Sequence, residues 1–117
     1  MGASGSKENE PAAIEFINQT LEQHPLTIFS KSYCPYCDMA KDVMQQAGVP
    51  YHVVELDMKD DAPTGSDIQS ALRTLTGRGT VPNVFLKKES IGGGTDVKAL
   101  FQSGRLNEML KAAGVLQ

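Results

Sequence analysis

The chain has 117 residues, 11 basic against 14 acidic side chains, a net charge of −3 and only two cysteines. That length suits one domain with a modest core that folds without disulfides or metal, and the acidic balance disfavours nucleic acid or an anionic membrane as a general partner. Both cysteines fall in one motif, no apolar run approaches the roughly 18 residues of a membrane span, and the N-terminus lacks a hydrophobic signal core, so a soluble, cytoplasmic protein is expected.

Residues 1–10 are small, polar and Gly/Ser-rich and are expected to form a flexible tail ahead of a domain over 11–117. Gly2 and Ser6 fit the loose N-myristoylation pattern. A plain flexible leader is the preferred reading, and one acyl chain binds membranes only marginally. The first helix opens near Asn9-Glu10-Pro11, carries the stripe Ala13, Ile14, Ile17 and Leu21, and stops at His24-Pro25. Leu26-Thr27-Ile28-Phe29 then reads as a short buried strand.

Ser30-Lys31-Ser32-Tyr33-Cys34-Pro35-Tyr36-Cys37 follows, and Tyr36, Ala40, Val43, Met44 and Ala47 continue at helical spacing. Pro35 suits the first helical position, which puts Cys34 at or near the N-cap. A sulfur there meets unpaired amides and the positive end of the helix dipole, which favour thiolate over thiol. Stabilising the thiolate helps Cys34 little as an attacking group, because nucleophilicity falls with basicity, and helps it clearly as a leaving group. Cys37, one turn later, is within reach of a disulfide. Lys31 would add positive charge beside the sulfur and offer a partner to an anionic ligand.

Gly48 is expected to cap the second helix, and Tyr51 to Leu56 alternates as a strand parallel to the first. His24, at a helix end, and His52, in mid-strand, read as structural. Two histidines and one cysteine pair cannot assemble a closed four-ligand zinc site, so no metal is assigned. Asp57 to Gly65 reads as a surface loop, and the third helix is expected to open at Ser66 in a capping box with Gln69. Its buried face would be Ile68, Ala71, Leu72 and Leu75, with Gly77 at its end. Asn83–Leu86 and Glu89–Ile91 read as a hairpin around Lys87-Lys88. Gly92-Gly93-Gly94 would permit close approach of a ligand, with Thr95-Asp96 capping the last helical region. Val97, Leu100 and Phe101 continue its apolar face, Gly104 interrupts, and Leu106, Met109 and Leu110 make a final helix.

Cys34-Pro35-Tyr36-Cys37, then Thr80-Val81-Pro82, then Gly92-Gly93 with Thr95-Asp96, in that order and spacing, resemble the dithiol glutaredoxins over residues 12–114. The order of elements gives an α/β protein with a four-stranded mixed sheet flanked by helices on both faces, and the resemblance makes it thioredoxin-like. It implies a glutathione-dependent thiol–disulfide oxidoreductase with Cys34 as nucleophile and Cys37 as resolving thiol, no bound cofactor, and glutathione as co-substrate. Its other partners would be glutathionylated or disulfide-containing proteins, and it would act as a monomer.

The resemblance places glutathione against Lys31, Tyr36, Gln69, Thr80, Val81, Pro82, Gly93, Thr95 and Asp96. Gln69 would bind the glycyl carboxylate, in competition with its reading as a cap. The Val81-Pro82 bond would be cis, with the Val81 backbone pairing the cysteinyl part, and Thr95 and Asp96 would meet the γ-glutamyl end. Many relatives carry arginine where this chain has Gly79; Arg78 stands one position early. Some carry a further cysteine where Gly94 stands. Three other readings compete. A thioredoxin-class reductase is disfavoured by the absence of tryptophan and by the Gly-rich corner. A glutathione-bridged iron–sulfur dimer is disfavoured by Pro35, and a non-catalytic thiol-sensing adaptor stays open.

Overall fold

A computed structural model describes residues 8–116. The flexible tail and the acylation pattern at Gly2 and Ser6 lie, over residues 1–7, outside the described residues. Helix α1 (Glu10–Gln23) begins on Asn9 with Pro11 in its first turn and buries Ala13, Ile17 and Leu21. Strand β1 (Leu26–Ser30) leads to α2 (Pro35–Ala47), which ends on Gly48 at φ +74°, a left-handed cap that glycine adopts without strain. Strand β2 (His52–Glu55) runs into a single 3-10 turn, Leu56–Met58, then α3 (Gly65–Thr76), β3 (Asn83–Leu86), β4 (Glu89–Gly92), α4 (Gly94–Gln102) and α5 (Arg105–Ala112).

The strands lie in the order β2-β1-β3-β4. β1 pairs parallel with β2, as a helical crossover requires, and antiparallel with β3, which pairs antiparallel with β4. Lys87 and Lys88 turn the β3–β4 hairpin with φ of +52° and +70°, the two positive values that match strand twist in a tight hairpin. All five residues of β1 are buried, because helices cover both of its faces. Leu26 and Ile28 join one core with Val43 and Met44 of α2, Val97 of α4, and Leu106 and Leu110 of α5. Phe29 joins the other with Ile17 of α1, Ile68 and Leu72 of α3, and Phe85, whose ring it meets edge-on at 5.6 Å. This is the thioredoxin-like arrangement that the resemblance implies.

Several expectations are corrected. The cap of α3 is Thr64, not Ser66; its side chain accepts from the Asp67 amide at 3.2 Å while Asp67 accepts from the Thr64 amide at 3.0 Å. The reason lies in Gly65, whose amide donates to the Lys59 carbonyl at 2.9 Å and where a Cβ would stand 1.8 Å from the Leu56 carbonyl oxygen. The chain can turn into the helix there only without a side chain, and that fixes the start one turn ahead of Gln69. α4 starts at Gly94 on Gly93, so Thr95 and Asp96 lie inside its first turn, and Asp96 completes the cap by accepting from the Gly93 amide at 2.8 Å. Leu75 and Tyr36, expected on apolar faces, are 47% and 56% exposed. Leu56 leaves the strand for the 3-10 turn yet stays buried.

Candidate active site

The end of β1 sends the chain over a loop of four residues, Lys31 to Cys34, into α2. Asp57 braces that loop, accepting from both the amide and the hydroxyl of Ser32, at 2.9 Å for the amide. The Ser32 hydroxyl and amide, with the nearby Lys31 charge, hold the Asp57 carboxyl below its ordinary range. Cys34 is the N-cap of α2, with Pro35 at the first helical position. Its sulfur accepts from the Cys37 amide at 3.3 Å and lies 3.9 Å from the Val81 carbonyl oxygen.

Cys37 differs from Cys34 in its surroundings. Its side chain is fully buried, whereas Cys34 is half-buried. The Lys31 amide donates to the Cys37 sulfur at 3.4 Å. Burial first, and then the hydrogen bond with Cys34, push the Cys37 thiol up from 9.0 to about 11, against opposing hydrogen bonds from the Lys31 amide and the Ser30 hydroxyl. An incoming disulfide therefore reaches Cys34 before Cys37.

Beside the cysteines runs an open groove of about 410 Å³, from Tyr36 and Arg78 past Thr80, Val81 and Pro82 to Gly93, Gly94 and Thr95. The Val81-Pro82 bond is cis, as the resemblance implied, and so is Ala62-Pro63, which nothing in the sequence announced. On the other side of the Cys34 loop a hollow of about 380 Å³ is lined by Lys31, Tyr33, Asp57, Lys59 and Gln69, among others.

The sequence pattern of the Glutaredoxin family matches residues 26–91, which span both the cysteine motif and Thr80-Val81-Pro82. The chain belongs to the glutaredoxin family. Glutaredoxin-C4 of Arabidopsis thaliana is 41% identical over 109 residues, covering 93% of this chain and 78% of that protein. Glutaredoxin-2 of Schizosaccharomyces pombe is 39% identical over 95 residues, covering 81% and 84%. The crystal structure of a buckwheat glutaredoxin–glutathione complex aligns with a TM-score of 0.87 at 38% identity, over 96% of this chain and 99% of that one. As a glutaredoxin, this protein is a glutathione-dependent thiol–disulfide oxidoreductase.

The structure of this glutaredoxin gathers most of the residues singled out from the sequence, in two groups. Tyr36, Thr80, Val81, Pro82, Gly93 and Thr95 share the groove, while Lys31 and Gln69 share the hollow. Gln69 does not act as a helix cap; its amide donates to the Gly79 carbonyl at 2.8 Å, which ties α3 to the segment ahead of Thr80. Asp96 stands behind the groove, its carboxylate held by the Gly93 amide and by Arg78 at 3.0 Å. Arg78, set aside in the sequence because it stands one position early, lines the groove after all. A Cβ on Gly79 would stand 3.1 Å from the Arg73 side chain, so this segment packs closely on α3. Space requires glycine at position 94, where the obstacle is backbone, whereas at Gly93 it is a side chain that can move. A Cβ on Gly93 would stand 2.8 Å from the Arg78 guanidinium, and one on Gly94 2.6 Å from the Tyr36 carbonyl oxygen. Among the described residues no group of three or more His, Cys, Asp or Glu is placed to hold a metal ion, and no helix is long and apolar enough to cross a membrane.

Proposed function

We propose that this glutaredoxin reduces protein–glutathione mixed disulfides through Cys34 alone and protein disulfides through Cys34 and Cys37 together. The observation that carries the reading is the asymmetry of the pair: the Cys34 sulfur is half-exposed at a helix N-cap, and the Cys37 sulfur is enclosed behind it. In the first reaction the Cys34 thiolate attacks the glutathionyl sulfur, and the protein thiol leaves with the electron pair. A second glutathione thiolate then attacks the glutathionyl sulfur on Cys34. Glutathione disulfide forms and the Cys34 thiolate departs, stabilised by the Cys37 amide. In the second reaction Cys34 attacks one sulfur of a protein disulfide, and Cys37 displaces the protein from Cys34.

Glutathione would lie along the groove, its cysteinyl backbone pairing with Val81 in the manner of an added strand, with Tyr36, Thr80 and Pro82 flanking it. Its γ-glutamyl end would meet the Gly93 corner, Thr95 and Asp96, with the first amides of α4 facing the carboxylate. Its glycyl carboxylate would reach Lys31 and Gln69. Glutathione serves as co-substrate with no resident cofactor, and the remaining partners are glutathionylated or disulfide-containing proteins. The protein acts as a cytoplasmic monomer, with a working domain that takes in α1 from its start at Glu10.

The test is turnover of a glutathionylated peptide, with glutathione and glutathione reductase supplied, for the native protein and for Cys34→Ser and Cys37→Ser. Cys37→Ser is expected to keep deglutathionylation and lose reduction of a protein disulfide, and Cys34→Ser to lose both. Substantial turnover by Cys34→Ser would overturn the assignment of the nucleophile.

A further inference from the structure

The mechanism above needs Cys37 to give up a proton, and its sulfur is fully enclosed. The groups in contact with that sulfur differ in what they can do with a proton. The Lys31 amide is a donor only, and Cys34 is already bonded to substrate when Cys37 reacts. The Ser30 hydroxyl, on the residue before that amide, draws the Cys37 thiol down and can accept one proton and pass on another.

Ser30 is itself fully buried at the last position of β1, directly beside Glu55 of β2 in the parallel register. Its hydroxyl donates to Glu55 Oε1 at 2.7 Å. The other carboxylate oxygen of Glu55 accepts from Lys41 Nζ at 2.8 Å. Lys41 stands one turn after Cys37 on α2. Burial works against its ammonium charge, and Glu55 outweighs that, with smaller help from Asp38 and the Cys37 sulfur. Glu55 and Lys41 keep 28% and 20% of their side-chain surface in solvent, so the chain of contacts begins at a dry sulfur and ends at water.

We propose that Ser30 and Glu55, with Lys41 holding the carboxylate in place, form the path by which the enclosed Cys37 thiol loses and regains its proton as it closes and opens the disulfide with Cys34. This rests on the assignment of Cys37 as the resolving thiol. In the forward step the Cys37 S–H bond breaks, and its electron pair forms the bond to the Cys34 sulfur. The bond from Cys34 to the substrate sulfur breaks, and the substrate leaves as a thiolate carrying that electron pair. The Cys37 proton passes to Ser30 Oγ while the Ser30 hydroxyl proton passes to Glu55, which releases it to water. The substrate disulfide is the oxidant, and the thiol pair is oxidised by two electrons. Ser30 and Glu55 are positioning residues, since neither touches the substrate.

The test uses a chromogenic aryl disulfide in excess. The first coloured thiolate appears when Cys34 is modified, and the second when Cys37 closes the disulfide. At neutral pH, Ser30→Ala and Glu55→Gln are expected to slow the second release about tenfold and leave the first within about twofold, while Ser30→Thr, which keeps a hydroxyl, restores the second. The deficit should shrink as pH rises toward about 9, where hydroxide can take the proton directly. A deficit that ignores pH, an equal slowing of both releases, or no slowing would each overturn the path. Cys37→Ser must abolish the second release; persistence of that release would instead overturn the assignment of Cys37 as resolving thiol.

Discussion

Arg78 and Asp96 meet at 3.0 Å between Nη2 and Oδ2, joining the segment ahead of the cis-proline to the first turn of α4. The pair is partly exposed, so its own contribution to stability is small, below about 1 kcal/mol. Its importance lies in holding the Arg78 guanidinium, which lines the groove. Arg78→Ala is expected to raise KM for a glutathionylated peptide about tenfold, the loss of roughly 1.4 kcal/mol of anion binding, with kcat within about twofold. Steady-state kinetics beside a thermal unfolding curve checks both halves of the statement.

Gly94 packs the start of α4 against α2, and the atom that a side chain would meet is a backbone oxygen that cannot swing away. Gly94→Ala should destabilise the protein by about 1–3 kcal/mol. Gly48→Ala, at a position with open space and φ +74°, should cost nearer 1 kcal/mol through backbone strain alone. Urea unfolding of the two variants separates the crowded glycine from the merely left-handed one.

Two capping patterns overlap at the start of α3, and only Thr64 with Asp67 is used. Thr64→Ala is expected to lose about 0.5–2 kcal/mol, against less than about 0.5 kcal/mol for the exposed Ser66→Ala. A larger loss at Ser66 in denaturant titrations would reverse the assignment.

His24 and His52 stack face to face with ring centroids 3.8 Å apart, closing the end of α1 onto the edge strand β2. Burial first, and His24 second, hold His52 below its ordinary 6.5. The folded state then binds fewer protons than the unfolded one near that pH. The stability linked to His52 is therefore present above 6.5 and falls away as pH drops below it. The urea midpoint should decline between about pH 7 and pH 5, and His52→Gln should flatten that decline.

Most of the fold was legible because local signals agreed with one another. Cys34 before Pro35, Gly48 and Gly77 after apolar stripes, and the alternating β-branched run from Tyr51 to Leu56 each specify an element without outside help. The errors arose where a local pattern was ambiguous and a distant atom decided. Thr64-x-x-Asp67 and Ser66-x-x-Gln69 are both acceptable boxes, and the Leu56 carbonyl, a contact across the loop, selects the first. Arg78 was out of step by sequence position, and the placement of its long side chain depends on a fold that brings α4 alongside. Ser30 and Glu55 gave no signal at all, being 25 residues apart and meeting only through the parallel pairing of β1 with β2.

The two cores lie on opposite faces of one sheet, with β1 and β3 between them. A transient opening of α1 and α3 still leaves these strands covered by α2, α4 and α5, and the reverse holds equally. The amides of Ile28 and Val84, partners in that central pair, should thus be the last to take up deuterium, at the rate of global unfolding. Cys34 hangs four residues beyond the end of this slowest-exchanging strand. Helices can breathe around the reactive sulfur while the strand that aims it stays in place.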